Sequence, residues 1–511
     1  MLRLLAPALV AALLASTPAW GKTLDGTPRA DRIVGTPAAD LIRPQTGADA
    51  VDARGGNDRI VAPLDGSVDA IACGAGRDLV LADLTDAVAP DCETVARQLS
   101  RDESFDFRAQ HETEVEPDSF AFGRTVVATY QVGRFGGGGA AGIGWASSYD
   151  AGRTWRSGAL ELAFPAVSDP VVAYDAVHRT WLISFLALTS STVDVYVTRS
   201  PDARAWSAPV PVAIAPSADA DYDKEWVACD NGGASAFRGR CYVSYLETGS
   251  GTILTRASTD GGVTWNPAVG SRDGLPTGTF VNGAMPVVRP NGDLVVVFTV
   301  FGAFGDSRGD WVGAVRSTDG GASFAPALRV SDLSREDPFG MRAPPLVSAD
   351  VDGAGAIRVV WADCRFRTEC QATDVVLAVS RDGVNWAPPV RVPTGDPTAR
   401  VDAMLPALDV EGTRSAVVYY TLPQPDGCAI LSCQGLDAWV VTQTAGRWSA
   451  PTRVSPQAMP LGWLADGGLG AMVGDYVSVS FAGGKPIPVL ALATAPESET
   501  LREAIFAVSG T

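Results

Sequence analysis

An octapeptide, Ser258-Thr-Asp-Gly-Gly-Val-Thr-Trp265, returns along this chain at a spacing that leaves little freedom in the fold. Ser148 to Trp155 (SYDAGRTW) and Ser317 to Phe324 (STDGGASF) match it position for position. Ser200 to Trp206 (SPDARAW) and Ser380 to Trp386 (SRDGVNW) are one residue shorter, and Thr442 to Trp448 (TQTAGRW) keeps the Gly and the aromatic. Read by Trp155, Trp206, Trp265, Phe324, Trp386 and Trp448, the copies fall 51, 59, 59, 62 and 62 residues apart, which is room for one four-stranded antiparallel sheet per copy. Each copy reads as a hairpin turn. Ser and Asp oxygens bond the turn's own N–H groups, Gly supplies positive φ, and the aromatic fills the gap between neighbouring sheets.

From about Glu112 onward, short apolar runs alternate with Gly, Pro, Asp and Asn, and helical periodicity is absent. Second strands are expected at Thr125 to Val132, Thr180 to Leu186, Cys241 to Leu246, Leu294 to Phe301, Ile357 to Trp361, Ala416 to Thr421 and Ile487 to Ala493. A segment near Phe105 to Ala109 is expected to supply the last strand of the final sheet and close a ring. The fold class is therefore all-β, and residues 112–511 are expected to form a β-propeller of seven blades, with six as the alternative. The octapeptide resembles the Asp box, or BNR repeat, of the sialidase superfamily. That resemblance implies that the boxes are structural, because in the family they lie on the face away from the active site.

The start of the chain, with Arg3, the apolar run Leu4 to Leu14 and Ala19-Trp-Gly21, reads as a secretory signal over residues 1–21. No later stretch is long and apolar enough to span a membrane, so the expectation is a secreted, extracellular protein. The net charge of −18 argues against nucleic acid as a partner and suits cation binding. The eight cysteines fall into near neighbours, Cys73 with Cys92, Cys229 with Cys241, Cys364 with Cys370 and Cys428 with Cys433, and four local disulfides are expected. Two histidines, His111 and His178, are too few for a Cys/His zinc site or a Ser-His-Asp triad, so any catalysis rests on carboxylates, Tyr and Arg.

Residues 22–95 carry a second, shorter period. Asp31, Asp40, Asp49 and Asp58 recur every nine residues, and Asp69 and Asp78 follow after eleven and nine; each precedes by two positions an aliphatic residue, Ile33, Ile42, Val51, Ile60, Ile71 or Val80. The pattern resembles the glycine- and aspartate-rich nonapeptide of repeat-in-toxin (hemolysin-type) proteins, which implies a parallel β-roll or solenoid holding Ca²⁺ through these six Asp carboxylates. Thr27-Pro28, Thr36-Pro37 and Pro44 replace glycine-turn residues, so some turns are expected to hold no ion. The alternative is a β-solenoid whose Asp residues only close turns. Residues 96–111 read as a linker.

Candidate chemistry gathers just before each innermost propeller strand, at one mouth of the central channel: Asp118, Asp169, the run Asp221-Tyr-Asp-Lys-Glu-Trp226, Asn282, Arg342, Asp402 and Asp475-Tyr476. The resemblance to sialidases implies Tyr476 as a nucleophile activated by Glu225, Asp223 or Asp402 as acid/base, and Arg342 with Arg365 as a carboxylate clamp. The family's Arg-Ile-Pro motif is absent; Arg108 and Arg124, the nearest candidates, have different neighbours. The reading is a monomeric, secreted calcium-binding protein whose propeller binds or processes an extracellular glycan, with no nucleic-acid partner and no membrane span. Two alternatives stand beside it: a non-catalytic adhesion or surface-interaction propeller, and a true exo-α-sialidase.

Overall fold

The computed structural model describes residues 21–62, 65–217, 220–276, 278–302, 309–424 and 435–510. Within them the chain is all-β, and helical conformation is limited to short 3-10 turns such as Thr368–Cys370 and Leu461–Trp463. No described helix is long and apolar enough to cross a membrane. The expected signal segment and the Cys428/Cys433 pair lie outside the described residues. The chain divides into two compact units, the first running through Val80 with Thr85–Glu93, the second comprising Leu81–Leu84 and everything from Thr94.

The first unit is a β-solenoid. Strands Thr23–Asp25, Leu41–Arg43 and Arg59–Val61 pair in parallel on one side. Arg32–Val34, Ala50–Asp52, Ala70–Ala72 and Ala87–Val88 pair in parallel on the other. Ile42, Val51, Ile60, Ile71 and Val80 fill the thin interior between them and are 0–3% exposed. All of the repeated Asp residues after Asp31 use their side chains as rungs. The backbone N–H of Asp31 donates to Asp49 Oδ1 (2.7 Å), Asp40 to Asp58 (2.7 Å), Asp49 to Asp69 (2.8 Å) and Asp58 to Asp78 (2.7 Å). Two nine-residue repeats thus make one turn, and the carboxylates satisfy amides that a tight corner leaves without a strand partner. The Cys73–Cys92 disulfide ties the last turns.

The second unit is a β-propeller built of four-stranded antiparallel sheets in chain order. The first has strands Gln110–Phe122, Thr125–Arg134, Ala140–Ser148 and Arg156–Ala159, and the same order repeats from Ala166–Asp175, Tyr222–Cys229, Phe280–Val288, Ser348–Val351 and Val401–Glu411. The final sheet runs Ser478–Ala482, Lys485–Ala493, Glu503–Ser509 and then Thr94–Gln98, which lies antiparallel to Glu503–Ser509. This corrects two expectations. Phe105 to Ala109 does not close the ring, and the assigned linker over 96–111 begins inside the closing strand and ends inside Gln110–Phe122. The reason lies in burial: Ala96, Gln98 and Leu99 are buried, whereas Phe105 and Phe107 are 100% and 92% exposed.

First strands of successive sheets lie side by side around the axis. The last reaches the first through Ser119, whose N–H donates to Ser478 Oγ (3.0 Å) and whose Oγ lies 2.9 Å from both Ser478 Oγ and Ser480 Oγ. Apolar residues fill the wedges between sheets; Val171, Leu182 and Val195 of one sheet pack with Val227, Val243 and Tyr245 of the next, with Trp265 against them. The turns bearing the repeated octapeptide share one hydrogen-bond set. Ser258 Oγ donates to Asp260 Oδ1 (2.8 Å) and accepts from the Gly262 N–H (2.9 Å), and Asp260 Oδ1 accepts the N–H groups of Val263 and Thr264. Ser148/Asp150 and Ser317/Asp319 repeat it. These turns follow third strands, so they lie on the face opposite the one where the innermost strands begin. Disulfides Cys229–Cys241 and Cys364–Cys370 form as expected.

Candidate functional site

The innermost strands share an irregularity that builds the site. Pairing register slips between Val115 and Asp118, Ser168 and Val171, Asp223 and Trp226, Asn282 and Met285, and Met404 and Ala407. At each slip one residue takes a left-handed backbone: Glu116 (φ 53°), Asp169 (φ 52°), Lys224 (φ 48°), Gly283 (φ 67°) and Leu405 (φ 50°). Such a bulge re-aims one side chain out of the ladder, and for a residue other than Gly it costs on the order of 1–3 kcal/mol. Proline follows at Pro117, Pro170 and Pro406, where the missing N–H is no loss because the ladder is already broken.

The first three bulges bring Glu116, Asp169 and Lys224 together. Lys224 Nζ lies 2.8 Å from Asp475 Oδ2, 3.0 Å from Asp169 Oδ2 and 3.4 Å from Glu116 Oε1. Arg342 grips Asp475 with two hydrogen bonds, Nε to Oδ1 (2.7 Å) and Nη2 to Oδ2 (2.6 Å), and its Nη1 donates to the Gly467 carbonyl (3.0 Å). The Arg342 backbone is itself anchored, its N–H donating to the Ala471 carbonyl (2.9 Å). The Asp475 N–H donates to Glu116 Oε1 (3.1 Å). Gln131 donates to Glu116 and to Ser168 Oγ, while Arg134 Nη1 donates to Gln131 Oε1 and the Gly139 carbonyl (both 3.2 Å). Of these groups, Glu116, Arg134, Asp169, Lys224, Arg342 and Asp475 border a cavity of about 350 Å³ whose wall also includes Asp221, Tyr222, Asp223, Thr248 and Asn282.

The charges sort the carboxyls into two classes. Burial works against ionising Asp169 and Asp475, yet the Lys224 ammonium beside both, with Arg342 on Asp475, holds them below the ordinary carboxylate value. For Glu116 burial wins over Lys224, and its neighbours Asp169 and Asp475 add to the rise, to about 7. Asp223 is pushed up to about 6, by burial first and then by Asp169 and Asp475. Lys224 stays charged because burial is outweighed by four surrounding carboxyls. The cavity therefore holds fixed carboxylates next to carboxyls that keep a proton near neutrality, a separation that acid/base chemistry uses.

Of the residues expected to act, Asp223 and Arg342 line this cavity. Glu225 does not: it is 1% exposed, neither carboxyl oxygen has a hydrogen-bond partner, and burial raises it far above the ordinary value. Tyr476 lines a second cavity along the inner strands, with Lys224 Nζ 5.6 Å from its ring centroid, its ring edge-on to Trp226 (5.3 Å between centroids) and its hydroxyl donating to the Pro170 carbonyl (3.2 Å). Burial first, and then Glu116, hold its hydroxyl well above the ordinary tyrosine value. Asp402 is tied to the Thr373 N–H (2.9 Å) and to Gln424, outside the cavity. Arg365 is spent on Asp363 and Arg367 on Asp374. Glu116, Gln131 and Arg134 were not among the expected residues; the recurrent residue-Pro step at Glu116-Pro117 and Asp169-Pro170 is the sequence signal that points to the first of them.

A larger cavity, about 550 Å³, lies along the inner strands. Three of its acids link neighbouring sheets: Asp118 accepts the Val172 N–H (2.9 Å), Asp350 the Val410 N–H (2.7 Å) and Asp409 the Phe481 N–H (2.5 Å).

No protein-family model matches the chain, and no curated protein matches it. Solved structures similar to the chain include a protein of unknown function from Dyadobacter fermentans DSM 18053, with 18% identity over 69% of this chain and 98% of that one and a TM-score of 0.45. The leech intramolecular trans-sialidase complexed with 2,7-anhydro-Neu5Ac is 12% identical over 63% of this chain and 67% of that one, TM-score 0.44. The Penicillium chrysogenum α-L-arabinanase complexed with arabinobiose is 15% identical over 60% of this chain and 88% of that one, TM-score 0.42.

Proposed function

We propose that the cavity around Lys224 binds, and hydrolyses, a glycan without a carboxylate, with Asp223 as proton donor and Asp169 as the carboxylate facing it. The carrying observation is the convergence of Glu116, Asp169, Lys224, Arg342 and Asp475 from separate elements onto one polar cavity, three of them by way of strained bulges. A proton-holding carboxyl beside an ionised one is the pair that glycosidic cleavage requires, and Asn282, Thr248 and Tyr222 are fitting partners for sugar hydroxyls. The cations speak against an acidic sugar: Lys224 and Arg342 are committed to Asp475, and Arg134 to Gln131 and Gly139. This disfavours the exo-α-sialidase alternative, whose substrate carboxylate needs free guanidinium groups.

The test is turnover of chromogenic neutral and acidic glycosides. A neutral glycoside is expected to be cleaved, and Asp223→Asn to lower kcat/KM by roughly 10²–10⁴-fold. If the protein binds neutral oligosaccharides without cleaving any, it is the non-catalytic adhesion propeller and Asp223 has no catalytic part.

The propeller reading extends to seven Asp-box blades, the seventh closed by Thr94–Gln98, in a secreted monomer; three disulfides favour an oxidising compartment. The solenoid reading extends to repeat-in-toxin turns that hold Ca²⁺. Among the described residues no three acidic or His/Cys side chains gather as a ready metal group, so backbone carbonyls have to complete any site. Asp58 and Asp78 fit that role. They are stacked, each has a buried Oδ2 with no partner, and the Gly56 carbonyl sits where a Cβ on Gly76 would be. Asp31 and Asp40 do not fit, because Oδ2 of Asp31 and both carboxyl oxygens of Asp40 already carry hydrogen bonds. Calcium is expected to raise the solenoid's melting temperature and leave the propeller's unchanged; a scanning-calorimetry trace indifferent to a chelator removes the ion.

A further inference from the structure

Four of the solenoid's turns fall into two kinds, and one residue type separates them. In the turns closed by threonine, Thr27 donates its N–H (2.6 Å) and its hydroxyl (2.8 Å) to Asp31 Oδ2. Thr36 donates its N–H to Asp40 Oδ2 (2.6 Å) and its hydroxyl to Asp40 Oδ1 (2.9 Å). In the glycine turns that place is held by Arg54 and Gly74, and no side-chain donor from it bonds the Asp. Arg54 (φ 72°) with Gly55 and Gly56 (φ 119°) leads to Asp58, and Gly74 (φ 86°) with Ala75 and Gly76 leads to Asp78. The Oδ2 atoms of Asp58 and Asp78 are buried and unpartnered, in residues 0% and 1% exposed, and so is that of Asp49, whose turn has Gln45 at the threonine's place and Gly47 (φ 121°) after it. The two turns are neighbours in the stack, joined by the Asp58 N–H to Asp78 Oδ1 (2.7 Å), the Gly56 N–H to the Ala75 carbonyl (2.9 Å) and the Arg77 N–H to Asn57 Oδ1 (3.0 Å).

An unpaired buried carboxylate oxygen is costly, and a threonine hydroxyl with its amide relieves that cost in the same way as a bound cation, by placing positive charge density on the oxygen. We infer that Thr27 and Thr36 stand in for a divalent cation in the first turns, which leaves ion binding to the turns without such a threonine, chiefly the paired glycine turns around Asp58 and Asp78. The inference rests on the calcium reading above. It divides the solenoid into a part that is ordered without metal and a part that metal completes. The Thr36 turn lies directly beside the Asp58 turn, linked by the Asp40 N–H to Asp58 Oδ1 (2.7 Å), so the boundary falls between adjacent turns.

Hydrogen–deuterium exchange of the full chain, in chelator and in calcium chloride, tests this turn by turn. Amides in 55–58 and 74–78 are expected to exchange about a hundredfold more slowly when free calcium is a hundred times its Kd. Amides in 27–31 and 36–40 are expected to exchange alike in both solutions. Thr36→Gly removes the hydroxyl and frees both Asp40 bonds to move, and segment 36–40 should then become calcium-responsive. If 36–40 of the unsubstituted protein responds as strongly as 55–58, or if folded T36G gains no response, the threonine inference is overturned and the calcium reading stands. If 55–58 and 74–78 do not respond, the calcium reading fails and takes the inference with it. Should T36G fail to fold, the unsubstituted pattern alone decides.

Discussion

Lys224 is the residue on which the site turns. Its ammonium stands among three carboxyl groups at 2.8–3.4 Å in a nearly solvent-free setting, and its own backbone is strained. Lys224→Met leaves those acids facing one another, and the expected loss is about 3–5 kcal/mol in urea unfolding at neutral pH, the usual effect of stranding buried charge. Glu225, one position on, makes the opposite case. Burial keeps it protonated, so Glu225→Gln removes no charge, and stability at pH 7 is expected to change by no more than about 0.5 kcal/mol. A larger loss would mean that Glu225 carries charge. Asp223, raised to about 6, sets the expected alkaline limb of activity: kcat/KM falls as pH rises through that value, and the limb disappears in D223N. Composition and motif singled out Asp223 and Arg342 but also Tyr476 and Asp402, because an acid or aromatic at a strand's start reads the same in sequence whether it turns toward the mouth or into the wall.

At the scale of the element, the turns were the most legible part of the chain. Their bonds span only four or five residues, from Ser258 Oγ to the Gly262 N–H and from Asp260 to the Thr264 N–H, so local sequence suffices to specify them. Of the three full-length copies, one departs from the other two. Ala151 holds φ 61° where Gly261 and Gly320 hold 71° and 72°. Ala151→Gly is expected to stabilise the propeller by about 0.5–1 kcal/mol, the relief of a left-handed L-residue less the extra freedom of Gly in the unfolded chain; unchanged or lower stability in a denaturant titration would show that the turn carries no strain. The bulges were not legible in the same way. Their consequence depends on which side chain is re-aimed and what waits at the axis, and neither is written within one strand.

For the molecule as a whole, the buried acids set the pH response. Glu116 and Asp118 titrate at about 7 in the folded protein, against roughly 4 for ordinary carboxyls. The native state therefore keeps protons that the unfolded state has released, and stability falls as pH rises between those values, each group adding a slope of about 1.4 kcal/mol per pH unit. Asp169 and Asp475 are held low, so they stabilise above the ordinary carboxyl value and lose that contribution only as pH drops below it. The melting temperature of the propeller is expected to be highest on the acid side of neutrality and to decline through pH 7; a rise over that interval would contradict the buried, proton-holding state of Glu116 and Asp118.

The sequence alone determined the all-β class, the two periods, the three described disulfides and the second strands, because each of these is a matter of neighbouring residues meeting hydrogen-bond and burial demands within one turn or hairpin. Which segment closes the ring, and which charges meet at its mouth, belonged to the tertiary structure. Glu116 and Asp475 are 359 positions apart and touch only once the last sheet has come round to the first, so no local pattern records their contact.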